Sequence, residues 1–239
     1  MPLVAAYHRP TTIADALALL SEPNRVVLAG GTTVNADREP AAIEVVDIQA
    51  LGLGGIDEAD GRIRMGATTT LAELTDSELV PDLVRRLARA EAPSTMRTLA
   101  TVGGTVAGAD PDSMLLAAWL VHDAWVELAG AESASLVDIL TAGVPSGSII
   151  TAVSLDAAGT GAHAATGRTP ADVPIVAAVA RLTDAGPVVA LTGMGPTPML
   201  VDGSNPTAGL DPPGDFRGSS GYRLELARIL TGRVMEVLV

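Results

Sequence analysis

Two pairs of adjacent glycines, Gly30–Gly31 and Gly103–Gly104, constrain this chain more than any other feature, because each interrupts an apolar lead-in. "RVVLAGGTT" carries Val26 to Ala29 straight into the first pair. "LATVGGTVAGADPDSMLLAAWL" sets the second between an apolar segment and a run suited to a helix. Glycine lets the backbone approach a neighbour or ligand closely, and successive turn amides form a concave nest for an anion. Thr32, Thr33, Thr101 and Thr105 add hydroxyls beside these turns. Taken singly, each pair reads first as a structural turn; two such beds in one fold could hold a pyrophosphate between them.

Composition narrows the chemistry. All 15 basic residues are arginine, so a Walker-type phosphate loop, a Schiff-base lysine and a lysine base are excluded. The chain has no cysteine, which removes disulfides, thiolate nucleophiles and protein-held iron–sulfur clusters together. A net charge of −13 argues against a nucleic-acid backbone or an anionic membrane surface as partner. No apolar run reaches about 18 residues without charge or glycine, and a cytoplasmic location is the expectation. His8, His122 and His163 are scattered without metal-ligand spacing.

Along the chain, Thr12 with Asp15 gives a capping-box-like start to an amphipathic helix ending near Pro23. Short apolar runs at Val26–Ala29 and Ile43–Ile48 read as strands. Ile63, Met65 and Ala67 alternate against Arg62, Arg64 and Gly66 as a strand that feeds a helix capped by Thr70 and Glu73. A helix over Asp82–Glu91 turns Leu83, Val84, Leu87 and Ala88 inward and solvates Arg85, Arg86 and Arg89. Ser113 caps a further helix, and Ala124–Leu128 alternates as a strand. Asp110 and Asp112 read as a carboxylate pair or, more simply, as helix-capping acids. Gly159–Pro174, rich in Gly, Ala, Thr and Pro, marks a domain boundary. Beyond it "VPIVAAVARLT" and "GPVVALTGMGP" are paired strands or a helix and a strand, before a clear C-terminal amphipathic helix.

The ordered motifs "YHRP", "AGGTT", "VVDI", "RMGATTTLAEL", "MRTLATVGGTVAGADPDS", "GRTPADVPIVAAVA", "GMGPTP" and "GYRLELARILTGR" span nearly the whole chain. In that order it resembles the medium, FAD-binding subunit of molybdenum hydroxylases, the group of carbon monoxide dehydrogenase and xanthine dehydrogenase flavoproteins. The resemblance implies an α+β fold: a two-subdomain α/β FAD-binding domain (PCMH-type) over residues 1–158, split near residue 54. A smaller C-terminal domain of antiparallel sheet plus helices follows over 159–239. It implies that Ala29, Gly30, Gly31, Thr32 and Thr33 line one side of an FAD pyrophosphate and Thr101, Gly103, Gly104 and Thr105 the other. Arg97, Asp110 and Asp112 join them as cofactor-binding candidates. Implied partners are molybdopterin and iron–sulfur subunits and a small-molecule electron acceptor, with no nucleic acid and no membrane.

The chain departs from that pattern where a flavin would sit. Met114 stands where the family places an acid, with Asp112 nearby as an offset substitute. Arg97 is followed by Thr98 rather than asparagine. Ala164 occupies the position of a lysine, four residues before Arg168, that would stabilise an anionic reduced flavin. Covering segments are short, and only five aromatic residues are present, so little remains to stack on a flavin ring. Two expectations follow from different classes. The first is an FAD-binding electron-transfer subunit. The alternative is a repurposed relative whose interdomain cleft binds an organic substrate and catalyses a non-redox cyclisation or rearrangement by proximity and orientation.

Overall fold

Strand alternation and helix caps settle most of the local structure. A computed structural model describes residues 3–34, 42–167 and 172–238; Arg168, named above, lies outside them. Strand β1 (Leu3–His8) leads to helix α1 (Ile13–Leu20), where Thr12 Oγ1 accepts the Asp15 amide at 3.1 Å. β2 (Arg25–Leu28) runs into the first glycine pair, and β3 (Ala42–Asp47) pairs in parallel with both earlier strands, giving the order β1–β3–β2. Ala16 of α1 packs there with Val46, Ile48 and the later Ile149.

The second sheet is antiparallel. β4 (Ile56–Ala59) and β5 (Arg62–Gly66) form a hairpin in which Ile63 and Met65 are buried while Arg62 and Arg64 are not, the period-2 pattern of the sequence. Then come helices α2 (Leu71–Asp76), with the Thr70–Glu73 capping box formed, α3 (Asp82–Glu91), α4 (Ser94–Arg97), α5 (Val102–Gly108) and α6 (Met114–Val121). β6 (Trp125–Ala129), β7 (Ala134–Ser135), α7 (Leu136–Ala142) and β8 (Ile149–Asp156) complete a five-stranded sheet in the order β4–β5–β8–β6–β7. Helix α6 is apolar on every side and buried from Leu115 to Val121, which places it at the centre of the main core with Trp119 fully enclosed.

The third sheet is antiparallel: β9 (Thr160–Thr166), β10 (Val176–Thr183), β11 (Gly186–Thr192) and β12 (Met199–Val201), in the order β12–β11–β10–β9. Helix α8 (Ser220–Leu238) packs Leu226, Ala227, Leu230 and Val234 on one face of it. Val179 and Ala190, on the other face, join the core around α6. The α+β class implied by the resemblance is the one observed. β10 and β11 resolve the strand-or-helix ambiguity as a strand pair. β9 lies within the segment read as a boundary loop: glycine and alanine carry little strand propensity, and seven paired positions with β10 supply what the residues do not. Among the described residues no helix is long and apolar enough to cross a membrane.

A buried polar cluster ties the third sheet to the second. Arg181, 3% exposed, donates from Nη1 to the Val121 carbonyl at 3.1 Å and from Nη2 to Asp156. Beside it His122 is buried, and its Nδ1 donates to the Asp156 carbonyl at 2.7 Å, which fixes the neutral tautomer and leaves Nε2 without a partner among the described residues. Burial, aided by Arg181, lowers the His122 pKa to about 4. The unfolded chain therefore binds the additional proton between about pH 6.5 and 4, so this group's contribution is full above that window and is lost as pH falls through it. Urea titrations of the native chain should lose about 2 kcal/mol from this source between about pH 8 and pH 5. The variant His122→Gln should show a correspondingly shallower dependence; equal slopes would exclude this assignment.

Candidate functional site

The two glycine segments meet through backbone. A Cβ built on Gly30 would sit 1.7 Å from the Leu99 carbonyl oxygen, so only glycine permits the chain before α5 to lie against the first turn. Gly31 adopts a positive φ of 73° as the chain turns away. The second segment is pinned from the other side. The Leu71 amide donates to the Ala100 carbonyl, and the Val102 and Gly103 amides donate to the carbonyls of Thr69 and Ala67, each at 2.9 Å. Gly103 packs so closely on Ala67 that a Cβ would lie 3.0 Å from that methyl group.

Between the segments lies a cavity of about 180 Å³. Ala29, Gly30, Gly31, Thr32 and Thr33 line one side, and Thr101, Gly103, Gly104, Ala107 and Gly108 the other. Val27, Ile48, Val144 and Ile150 wall it with apolar surface. The two sides are chemically unequal. The amides of Gly30, Gly31, Thr32 and Thr33 donate to no described residue. On the opposite side the Val102 and Gly103 amides are engaged as above, and the Gly104 amide donates to the N-cap hydroxyl of Thr101 at 3.1 Å. Thr105 is not among the lining residues; its hydroxyl donates to the Thr101 carbonyl at 3.0 Å. The second glycine pair is thus the first turn of a helix whose amides are satisfied internally, while the amides of the first pair have no acceptor among the described residues.

The segment running on from α5 enters a larger cleft of about 850 Å³. Arg97, Asp110, Asp112 and Met114 line it together with Arg89, Glu91 and Ser113, and His163, Ala165, Gly167 and Asp172 face them from the third-sheet region. Asp110 and Asp112 do not cap α6. Ser113 does so by accepting the Leu116 amide at 3.0 Å, while Asp110 Oδ1 accepts the Asp112 amide at 2.9 Å. Asp112 Oδ2 accepts from Arg217 Nη1 at 2.7 Å, and its Oδ1 is a buried acceptor with no partner among the described residues. Arg97 Nη1 donates to the carbonyls of Arg89 and Ala92 at 2.9 and 2.7 Å, so this guanidinium braces the end of α3.

Ala164 belongs to the opposite face of β9. It packs into the core beneath α8, whereas the neighbours that line the cleft are His163, Ala165 and Gly167. A side chain at 164 therefore cannot stand for a cleft-facing cation, because neighbouring strand positions point to opposite faces. The cleft-facing position next to it is His163, whose pKa is lowered by burial and by Arg86.

The cleft also gathers residues that sequence reasoning passed over. Glu91 ends α3, and its carboxylate accepts the Leu115 amide at 3.4 Å; burial pushes its pKa up, against the lowering effect of Ser113 and the Leu115 amide. Its only local sign was an acid at the end of a helix, opposite to the helix-dipole preference. The arginines of α3 are not merely solvated. Arg86 and Arg89 donate to the carbonyls of Gly161 and Thr75, joining α3 to β9 and α2. No group of three or more acidic or histidine side chains among the described residues is placed to hold a metal ion.

Comparison with known proteins places this geometry. The model of the FAD binding domain in molybdopterin dehydrogenase matches residues 3–155. The carbon monoxide dehydrogenase medium chain of Afipia carboxidovorans is 28% identical over 96% of this chain and 95% of its own. The xanthine dehydrogenase FAD-binding subunit of Escherichia coli is 34% identical over 52% of this chain and 46% of its own. Reconstituted CO dehydrogenase from Oligotropha carboxidovorans superposes with a TM-score of 0.89 at 26% identity, covering 100% of this chain and 98% of that one. Quinoline 2-oxidoreductase from Pseudomonas putida shares the fold, with a TM-score of 0.85 at 22% identity over 98% of this chain and 96% of its own. The chain belongs to the family of FAD binding domains in molybdopterin dehydrogenases.

Proposed function

We propose that this chain is the FAD-binding electron-transfer subunit of a molybdenum hydroxylase-like oxidoreductase. In this role it passes electrons from an iron–sulfur partner to an external small-molecule acceptor, beside a molybdopterin subunit. Residues 1–158, divided near 54, form the flavin-binding unit and 159–239 the C-terminal one. The observation that carries the reading is that Gly30, Gly31, Thr32 and Thr33 line a small cavity while their amides donate to no described residue. Backbone amides recognise a pyrophosphate without a cationic side chain, which suits a chain that has no lysine.

The residues fit FAD at two further points. Segment 101–114 lines the small cavity at its start and the larger cleft at its end, which puts the two sites at opposite ends of one stretch of chain. Asp112 Oδ1, buried and unpartnered among the described residues, is an acceptor suited to a polyol hydroxyl. Gly30, Gly31, Thr32 and Thr33 would hold the pyrophosphate, and Thr101 and Gly104 would bound it sterically. Bound FAD would supply a carrier that takes electrons singly from an iron–sulfur centre and releases them singly or in pairs to the acceptor. The residues around it would hold it in place.

One observation favours the second reading, a cleft that shapes an organic substrate for a non-redox cyclisation or rearrangement. The α5 amides are bonded within the protein, leaving the anion bed one-sided. FAD titration separates the two readings. The chain purified with its flavin should be yellow, and the stripped chain should regain flavin absorption at one FAD per chain. A colourless chain that takes up no FAD would leave the second reading standing.

Two glycine variants locate the site. A Cβ on Gly108 would lie 3.8 Å from Thr33 Oγ1, so Gly108→Leu projects between the two sides of the cavity without a backbone clash. It should weaken FAD binding by about tenfold or more while leaving the melting midpoint of the FAD-free chain nearly unchanged. Gly30→Ala, in contrast, should lower that midpoint by several degrees through the Leu99 contact. Unaltered affinity in Gly108→Leu would place the cofactor elsewhere.

A further inference from the structure

The five aromatic side chains of this sequence are distributed unevenly. Trp119 is enclosed in the core, and none of Tyr7, Trp125 and Tyr222 is among the residues lining the described cavities. Phe216 is different: it is 91% exposed and lines a hollow of about 260 Å³ together with Gly167, Asp172, Val173, Ile175 and Arg217. Gly167, Asp172 and Val173 also line the 850 Å³ cleft, so the hollow adjoins the cleft. Phe216 therefore stands at the mouth of the larger site.

The turn that carries Phe216 is held on both flanks. The Asp215 amide donates to the Gly218 carbonyl at 3.0 Å, and Asp215 Oδ1 accepts the amides of Arg217 and Gly218 at 2.9 and 3.0 Å, which puts Phe216 and Arg217 at the apex of a tight turn. Asp215 Oδ2 accepts from Arg223 at 2.7 Å; that arginine is 3% exposed and donates to the carbonyls of Ile175 and Gly193. Arg217 reaches the other way to Asp112, the cleft carboxylate with the unpartnered oxygen. An aromatic ring almost wholly in water is thus kept beside the cleft by ion pairs on both neighbouring residues.

We propose that Phe216 covers the flavin ring at the mouth of the cleft, supplying the aromatic contact that the rest of the sequence does not provide. The inference rests on the FAD-binding reading, with the flavin end in the larger cleft, and adds to it the side chain that covers the ring. Offset stacking of two ring systems accounts for the stabilisation, and Arg217 and Asp215 fix the approach of the ring. Because Phe216 has little protein surface against it, its loss leaves the fold as it is.

The test titrates FAD into the stripped full-length chain and its Phe216→Ala and Phe216→Trp variants, reading affinity, bound-flavin emission and the melting midpoint. Phe216→Ala should weaken FAD binding about three- to tenfold, with an unchanged midpoint for the FAD-free chain. Phe216→Trp should keep the affinity and quench the bound flavin's emission strongly relative to the native chain, since an indole in contact with the ring donates an electron to its excited state. Equal emission from Phe216→Trp and the native chain overturns the inference even though FAD binds. A native chain that takes up no FAD overturns the functional reading itself, and the inference with it.

Discussion

The site depends on a contact that involves no side chain. The Leu99 carbonyl lies against the Cα of Gly30, closer than any residue with a Cβ allows. Through it the turn after β2, in the parallel sheet, is seated on the segment that opens α5, in the unit built on the antiparallel sheet. The segment from Ala100 to Gly103 is in turn bonded to residues 67–71, so the small cavity is bounded by backbone held in place from both directions. A site framed in this way is insensitive to side-chain rearrangement, and glycine at position 30 serves the packing of the frame first.

The same contact explains the division of labour between the two glycine pairs. A helix N-terminus with free amides is a ready anion site, but α5 engages its first amides with Thr69, Ala67 and Thr101 in order to fix its position. What remains for an anion is the opposite turn. The larger cleft is organised differently, by ion pairs that cross from the C-terminal part of the chain. Arg217 binds Asp112, and Asp215, held well below the usual carboxylate range by Arg223 first and then by the Gly218 amide and Arg217, anchors the turn between them. Together with the backbone bond from Gly193 to Pro111, these pairs hold the cleft-lining loop 110–113 against the third sheet.

Local chemistry was legible in the sequence wherever it is local in space. Thr12, Thr70 and Ser113 cap the helices their spacing implies, and the alternation of Ile63 and Met65 survives as the buried face of β5. Of the residues that the motif order links, Ala29–Thr33 and Thr101, Gly103 and Gly104 line one cavity, and Thr105 does not. What the sequence could not convey were facts set by distant partners. The engagement of the α5 amides depends on carbonyls some thirty residues earlier. β9 depends on pairing with β10. The difference between Ala164 and His163 as the cleft-facing position is one step of strand register, which reverses the face on which a side chain falls. Phe216 carried no motif at all; its importance rests on its place at the mouth of the cleft.

The central claim is that the amides of Gly30–Thr33 hold the pyrophosphate of FAD while those of α5 are committed to the protein. Amide hydrogen exchange of the stripped chain, with and without FAD, reads the two groups separately. FAD should slow exchange sharply at Gly31, Thr32 and Thr33, whereas Val102 and Gly103 should already be slow without it. Exchange at residues 31–33 that FAD leaves unchanged, in a chain shown by absorption to have bound it, would contradict the claim.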